Sequence, residues 1–157
     1  KYQMYDLELN SKSLQLLEAV HPKLASVVHE AREIGEVPFE VVEGYRSKEM
    51  QALMAEKGAS GSFGTSPHCF GFAVSILAFY DDIPKTNTLV YEELATTMKY
   101  AAMNLGVGLK WGAAPHYPNI CDWPDSLDML MFEYVSACVE KEVVPHISPG
   151  YFELVLD

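Results

Sequence analysis

Apolar residues recur every three to four positions from Asn10 onward: Leu14, Leu17, Val20, Leu24, Val27 and Val28 line one helical face, with Ser11 or Ser13 in place as a cap. Pro22 interrupts that stripe, so it marks a break or opens a new first turn, where a missing N–H is tolerated. Val37-Pro38-Phe39-Glu40-Val41-Val42 predicts a short strand closed by Gly44, and Ser47 to Lys57 predicts a helix that starts on a serine cap. Gly58-Ala59-Ser60-Gly61-Ser62-Phe63-Gly64 is a turn-rich loop.

Phe70 to Phe79 is a continuous apolar run rich in Phe, Val and Ile, the pattern of a buried strand, after which Asp81-Asp82-Ile83-Pro84 turns the chain. Tyr91 to Leu105 gives the clearest helix, with Leu94, Met98, Ala101, Ala102 and Leu105 on one stripe and Gly106 as its stop. Leu109-Lys110-Trp111-Gly112 and a Pro-containing loop follow. The apolar stretch Leu127 to Val135 predicts a strand, Val135 to Val143 a last helix, and Tyr151 to Leu156 a final strand. Helices interspersed with few strands, without repeats or linkers, place the chain in the α+β class as a single domain over 1–157.

Composition narrows the functional classes. The 157 residues are 49% hydrophobic, enough for one core. No apolar run approaches the roughly 20 residues of a membrane span. The start, Lys1-Tyr2-Gln3-Met4-Tyr5, lacks the apolar centre of a signal peptide, although a chain that opens without Met leaves a removed segment open. Cys69, Cys121 and Cys138 are odd in number and lack metal-type spacing, which fits reduced thiols in a cytosol. Eleven basic against 22 acidic residues give a net charge of -11, which repels nucleic acid and anionic membranes. A pocket holding Arg46, a histidine and backbone N–H groups can still be locally positive for a small anion.

Four motifs stand in fixed order: Gly44-Tyr45-Arg46-Ser47 with Gln51, then Ser66-Pro67-His68-Cys69-Phe70-Gly71-Phe72-Ala73-Val74-Ser75, then Leu105-Gly106-Val107-Gly108-Leu109-Lys110-Trp111-Gly112, then Asp128-Met129-Leu130-Met131-Phe132-Glu133. Together they resemble the zinc peptidase family of D-Ala-D-Ala carboxypeptidases and L-alanyl-D-glutamate endopeptidases, in its phage endolysin branch. That family carries G-Y-R-S-x-x-x-Q, S-x-H-x-x-G-x-A-x-D, L-G-x-x-W-G-G-D/E and E/D-x-x-H-F-E. The resemblance implies a Hedgehog/DD-peptidase fold, a small antiparallel sheet packed with helices. It also implies zinc held by the first His, the Asp and the second His, with the last acid as general base and the Arg contacting substrate.

On that alignment His68 keeps its ligand place, Ser75 replaces the Asp and Met131 replaces the second His, while Asp128 keeps the base place. A neutral hydroxyl and a thioether are poor zinc ligands beside carboxylate and imidazole. The expectation is therefore a catalytically inactive, phage-encoded binding protein without a metal cofactor, working in the host cytoplasm. Its groove would hold a small molecule or short peptide, including a sequestered host-defence signal, through Arg46, Gln51, Ser66, His68, Ser75, Trp111, His116, Trp123, Asp128 and Met131. One alternative is an active peptidoglycan peptidase with zinc on His68, Asp125 or Asp128, and His116; Asp122-Trp123-Pro124-Asp125 gives the second register. Another is a structural component of the phage particle.

Plainer roles stand beside these. His68 serves equally as a hydrogen-bonded pocket histidine and His116 as a loop residue, while capping or surface roles suffice for His21, His29 and His146. Trp111 is structural, Trp123 is the better lid contact, and the methionines fill core space.

Overall fold

The structure, a computed structural model, describes residues 8–58, 66–80, 83–84 and 87–156. Its first helix, α1 (Ser11–Glu18), is capped by Asn10, whose side chain accepts a hydrogen bond from the Ser13 N–H at 2.9 Å. Pro22 opens a new first turn: α2 (Pro22–Ile34) begins on it, and the His21 ring accepts from the Lys23 N–H at 3.1 Å. After β1 (Phe39–Glu43), α3 (Lys48–Glu56) starts on the predicted Ser47 cap. A single 3₁₀ turn, Pro67–Phe70, ends at Gly71 with φ 73°, a left-handed conformation that suits glycine, and feeds β2 (Ala73–Tyr80). Phe70 thus belongs to a turn and not to the predicted strand. Of the predicted loop at 58–64, all but Gly58 lies outside the described residues, as do Asp81 and Asp82.

The short strand β3 (Ile83–Pro84) folds back antiparallel on β2, pairing Ile83 with Tyr80. The long α4 (Thr88–Leu105) stops at Gly106 with φ 67°, as expected, and leads into β4 (Gly108–Trp111). The predicted strand Leu127 to Val135 is instead the first half of α5 (Leu127–Glu140). Its apolar residues are consecutive and spread around the whole helix, so periodicity could not separate strand from helix. The closing strand is β5 (Tyr151–Val155).

The strands form an antiparallel sheet in the order β1-β2-β5-β4, with β3 on β2. One face carries Phe39, Val41, Val74, Ile76, Ala78, Phe152, Leu154, Leu109 and Trp111, all buried in one core with Leu24, Val27 and Val28 of α2 and Leu94 and Met98 of α4. The fold is therefore α+β with a small antiparallel sheet packed by helices. Alternation along the strands turns Ser75, Tyr151, Glu153 and Lys110 to the other face. No described helix is long and apolar enough to cross a membrane.

Candidate functional site

A β-bulge decides which side chains meet on the open face. Val41 pairs with Ile76 and Glu43 with Ser75, so two steps along β1 match one along β2. The extra residue re-aims the end of β1 and puts Glu43 on the same face as Ser75. Ser75 also pairs with Tyr151 on its other side. Glu43, Ser75 and Tyr151 thus form a cross-strand row.

His68 hangs over this row from the 3₁₀ turn. Its Nδ1–H donates to the Gly44 carbonyl at 2.7 Å, while Arg46 N–H donates to the His68 carbonyl at 2.8 Å, locking turn and strand end together. That bond fixes the tautomer and leaves Nε2 to face Ser75 Oγ at 3.4 Å and Glu43 Oε1 at 3.2 Å. Burial pushes the imidazole pKa below its ordinary 6.5, against the upward pull of Glu43. In the neutral ring, Nε2 accepts from the Ser75 hydroxyl.

Beneath His68 lies an ion pair between the buried Arg46 and the half-buried Glu43. Arg46 donates through Nη2 and Nε to Glu43 Oε2 at 2.6 and 3.0 Å, and through Nη1 to Gln51 Oε1 at 2.9 Å. Gln51 is wholly buried and its Oε1 also accepts from the Cys69 thiol at 3.5 Å. On the far side of the row, the Tyr151 ring meets His68 edge-on with centroids 5.5 Å apart, and its hydroxyl donates to Glu153 Oε1 at 3.0 Å. Burial, and then the charge of Glu153, push the phenol far above its usual range.

Three adjoining hollows cross the face of β5. One of about 290 Å³ is lined by Ser75, Tyr91, Ser148 and Tyr151. A second of about 250 Å³ is lined by Lys110, Trp111, Pro115, His146, Ser148 and Tyr151. The third, about 420 Å³, is lined by Ser66, Phe70, Phe72, Lys110 and Glu153 among others. Because neighbouring hollows share Ser148, Tyr151, Lys110 and Glu153, they make one groove. Lys110 lies opposite Glu153 in the register and makes no ion pair among the described residues.

The structure brings together Arg46, Gln51, Ser66, His68 and Ser75, but not the rest of the expected set. Asp128 is exposed in the first turn of α5, where it faces Glu92 of α4 and raises that residue's pKa after desolvation does. Met131, on the same helix, packs against the core. His116 sits in the loop after β4, bonded to Glu133 at 2.8 Å and stacked on Tyr134. Trp123 packs edge-on against Tyr117, donates to the Ser126 carbonyl and lends its own carbonyl to Lys99 of α4. Asp125 is spent on the Ser126 N–H at 2.8 Å. Trp111 turns into the core and donates to the Pro149 carbonyl, touching the groove only along one edge. The helix α5 thus keeps its acid and thioether away from His68. Glu43 and Tyr151, absent from the expected set, stand in direct contact with it.

The model of the phage L-alanyl-D-glutamate peptidase family matches residues 5–133. The chain belongs to that family. Among solved structures it is similar to the L-Ala D-Glu endopeptidase ChiX of Serratia marcescens, with TM-score 0.67 and 24% identity, covering 95% of this chain and 91% of that one. That likeness carries the fold, which is of the Hedgehog/DD-peptidase type. A comparison with curated proteins finds no match.

After the Trp111-Gly112 motif, the family's closing E/D-x-x-H-F-E pattern has two Phe-Glu pairs to choose from, Phe132-Glu133 and Phe152-Glu153. Only the second follows a residue that touches His68, and that residue is Tyr151. The family-model match ends at Glu133, before β5, so this placement rests on the sheet register. The zinc that the family implies takes three protein ligands and a water. The donors that gather here are one imidazole nitrogen, two neutral hydroxyls and a carboxylate already paired with Arg46. Among the described residues no group of three or more His, Cys, Asp or Glu side chains is placed to hold a metal ion. This donor set does not fit a catalytic zinc.

Proposed function

We propose that this family member does not hydrolyse peptides and instead binds a small anionic ligand or short peptide in the groove across β5, acting as a phage-encoded protein in the host cytoplasm. One observation carries the reading: around His68 Nε2 stand the Ser75 hydroxyl, the Tyr151 ring and a Glu43 carboxylate already paired with Arg46, with no second imidazole or unpaired carboxylate among the described residues. A site without a Lewis acid lacks both the activated water and the means to polarise an amide carbonyl. Binding needs neither. The groove holds a cation, Lys110, opposite Glu153 and beside the Ser66 and Ser148 hydroxyls and aromatic walls, and Lys110 would be the contact for the carboxylates of a cell-wall peptide fragment or the phosphates of a nucleotide defence signal.

The reading moves the ligand's charge partner from Arg46 to Lys110, because the Arg46 donors are aimed at Glu43 and Gln51 inside the fold. Calorimetric titration with muropeptides and with cyclic or ADP-ribose-type nucleotides tests it. Lys110→Ala is expected to weaken binding roughly ten- to a hundredfold, the worth of one charge-assisted hydrogen bond of about 1.5–3 kcal/mol. Zinc-dependent cleavage of an L-Ala-D-Glu peptide by the wild-type chain would instead establish an active peptidase.

A further inference from the structure

We infer that Tyr151 occupies the third ligand place of the family's metal centre, and that Ser75 and Tyr151 close this centre as a hydrogen-bonded, metal-free cluster from which two substitutions recover a zinc site. The inference rests on the proposal above that the wild-type site holds no zinc. It goes further by saying where the lost ligands stood.

The sheet register supplies the geometry. Ser75 and Tyr151 are direct partners across β2 and β5, which places their Cβ atoms about 5 Å apart on one face. His68 is third, its Nε2 3.4 Å from Ser75 Oγ and its ring 5.5 Å from the Tyr151 ring. Side chains at 68, 75 and 151 therefore converge on a volume that an ion with bonds of about 2 Å would span. The orientation of the surviving imidazole is already built: Nδ1 is tied to the Gly44 carbonyl, the outer bond that metal-bound histidines use to present Nε2. The phenol fills the space. Its ring leans on His68 and its hydroxyl reaches past to Glu153, so both the ligand and the room for the ion are replaced by one side chain.

Met131 offers none of this. It lies on α5, whose packing partner is α4, and its side chain is spent on the core. Chain order alone cannot separate the two Phe-Glu pairs; the antiparallel pairing of β5 between β2 and β4 does.

Zinc titration by calorimetry, with zinc-induced thermal shift as a second readout, tests this on four folded variants beside the wild type. Ser75→Asp with Tyr151→His is expected to bind one zinc at least about a hundredfold more tightly than the wild type, because three convergent ligands act cooperatively. Tyr151→His alone leaves the β2–β5 backbone pairing intact and is expected to gain a weaker, several-fold increase. Ser75→Asp with Met131→His should gain no more than Ser75→Asp alone. Absence of any gain in both Tyr151→His variants, while circular dichroism shows them folded, overturns the inference; so does a gain with Met131→His. Zinc bound by the wild-type chain would strike the proposed function instead, so the two failures are distinguishable.

Discussion

At the scale of single residues the site is organised by Glu43, an acid that the motif Val41-Val42-Glu43-Gly44 hides among strand residues. One oxygen accepts twice from Arg46 and the other faces His68 Nε2. Removing its charge takes the carboxylate partner from a guanidinium that is only 6% exposed, leaving it the neutral Gln51 oxygen among its partners. Glu43→Gln is expected to cost about 1.5–3 kcal/mol, the worth of a hydrogen bond to a charged group, visible as a lower urea midpoint with an unchanged slope. His68 adds a pH signature. Its folded pKa lies below the ordinary 6.5, so as pH falls the unfolded chain takes the proton first. The stability it contributes is whole above 6.5 and is lost as pH drops toward the folded value, with Glu43, Arg46, the Gly44 and Ala73 backbone, Ser75 and Tyr151 facing the ring. His68→Asn should flatten urea midpoints between neutral pH and that lower value; an unchanged pH profile would mean that the ring is not held neutral. His68, Arg46, Gln51, Ser66 and Ser75 were singled out by the motifs' resemblance to the family, and the structure places them near one another. Glu43 was not, since its position depends on a bulge that no local pattern announces.

Among the elements, β5 is where sequence reading and structure part. Its span was legible from Tyr151 to Leu156, but its partners were not, because strand order is set by contacts between residues far apart in sequence. The Pro-containing loop before it depends on close approach: a Cβ on Gly112 would come 2.2 Å from the Ser148 carbonyl oxygen and 2.8 Å from Tyr151 Cβ. The same glycine donates to the Tyr151 carbonyl at 2.8 Å and accepts from the Ser148 N–H at 3.0 Å. Backbone cannot yield as a flexible side chain can, so Gly112→Ala is expected to destabilise by about 1–3 kcal/mol and to disturb the groove at Ser148 and Tyr151. A thermal melt within error of the wild type would contradict that reading of the loop. The opposite lesson comes from α5. Only Leu127 and Leu130 on it are buried, so its apolar run carries no one-sided stripe, and a chain segment of this kind looks the same as a strand until its length and its neighbours are known.

For the whole molecule, fold and chemistry are separate claims: the family gives the fold, and the proposed loss of hydrolysis rests on the side chains around His68. The helices and the antiparallel sheet are those of the peptidase family, and the motifs before residue 113 could suggest it because each is local. The closing motif has two candidate places because a helix, α5, intervenes between β4 and β5 and brings its own Phe-Glu pair; the inferred place at Tyr151 rests on the sheet register. On a chain of net charge -11 the groove holds Lys110 opposite Glu153, so the proposed binding of an anionic ligand through Lys110 should weaken with added salt. The central claim is that the centre beneath His68 works without metal. Elemental analysis of the wild-type chain, purified with zinc present and dialysed without chelator, beside His68→Ala, tests it most directly. The account predicts the same background zinc in both proteins; one zinc per chain in the wild type, lost in His68→Ala, would contradict it.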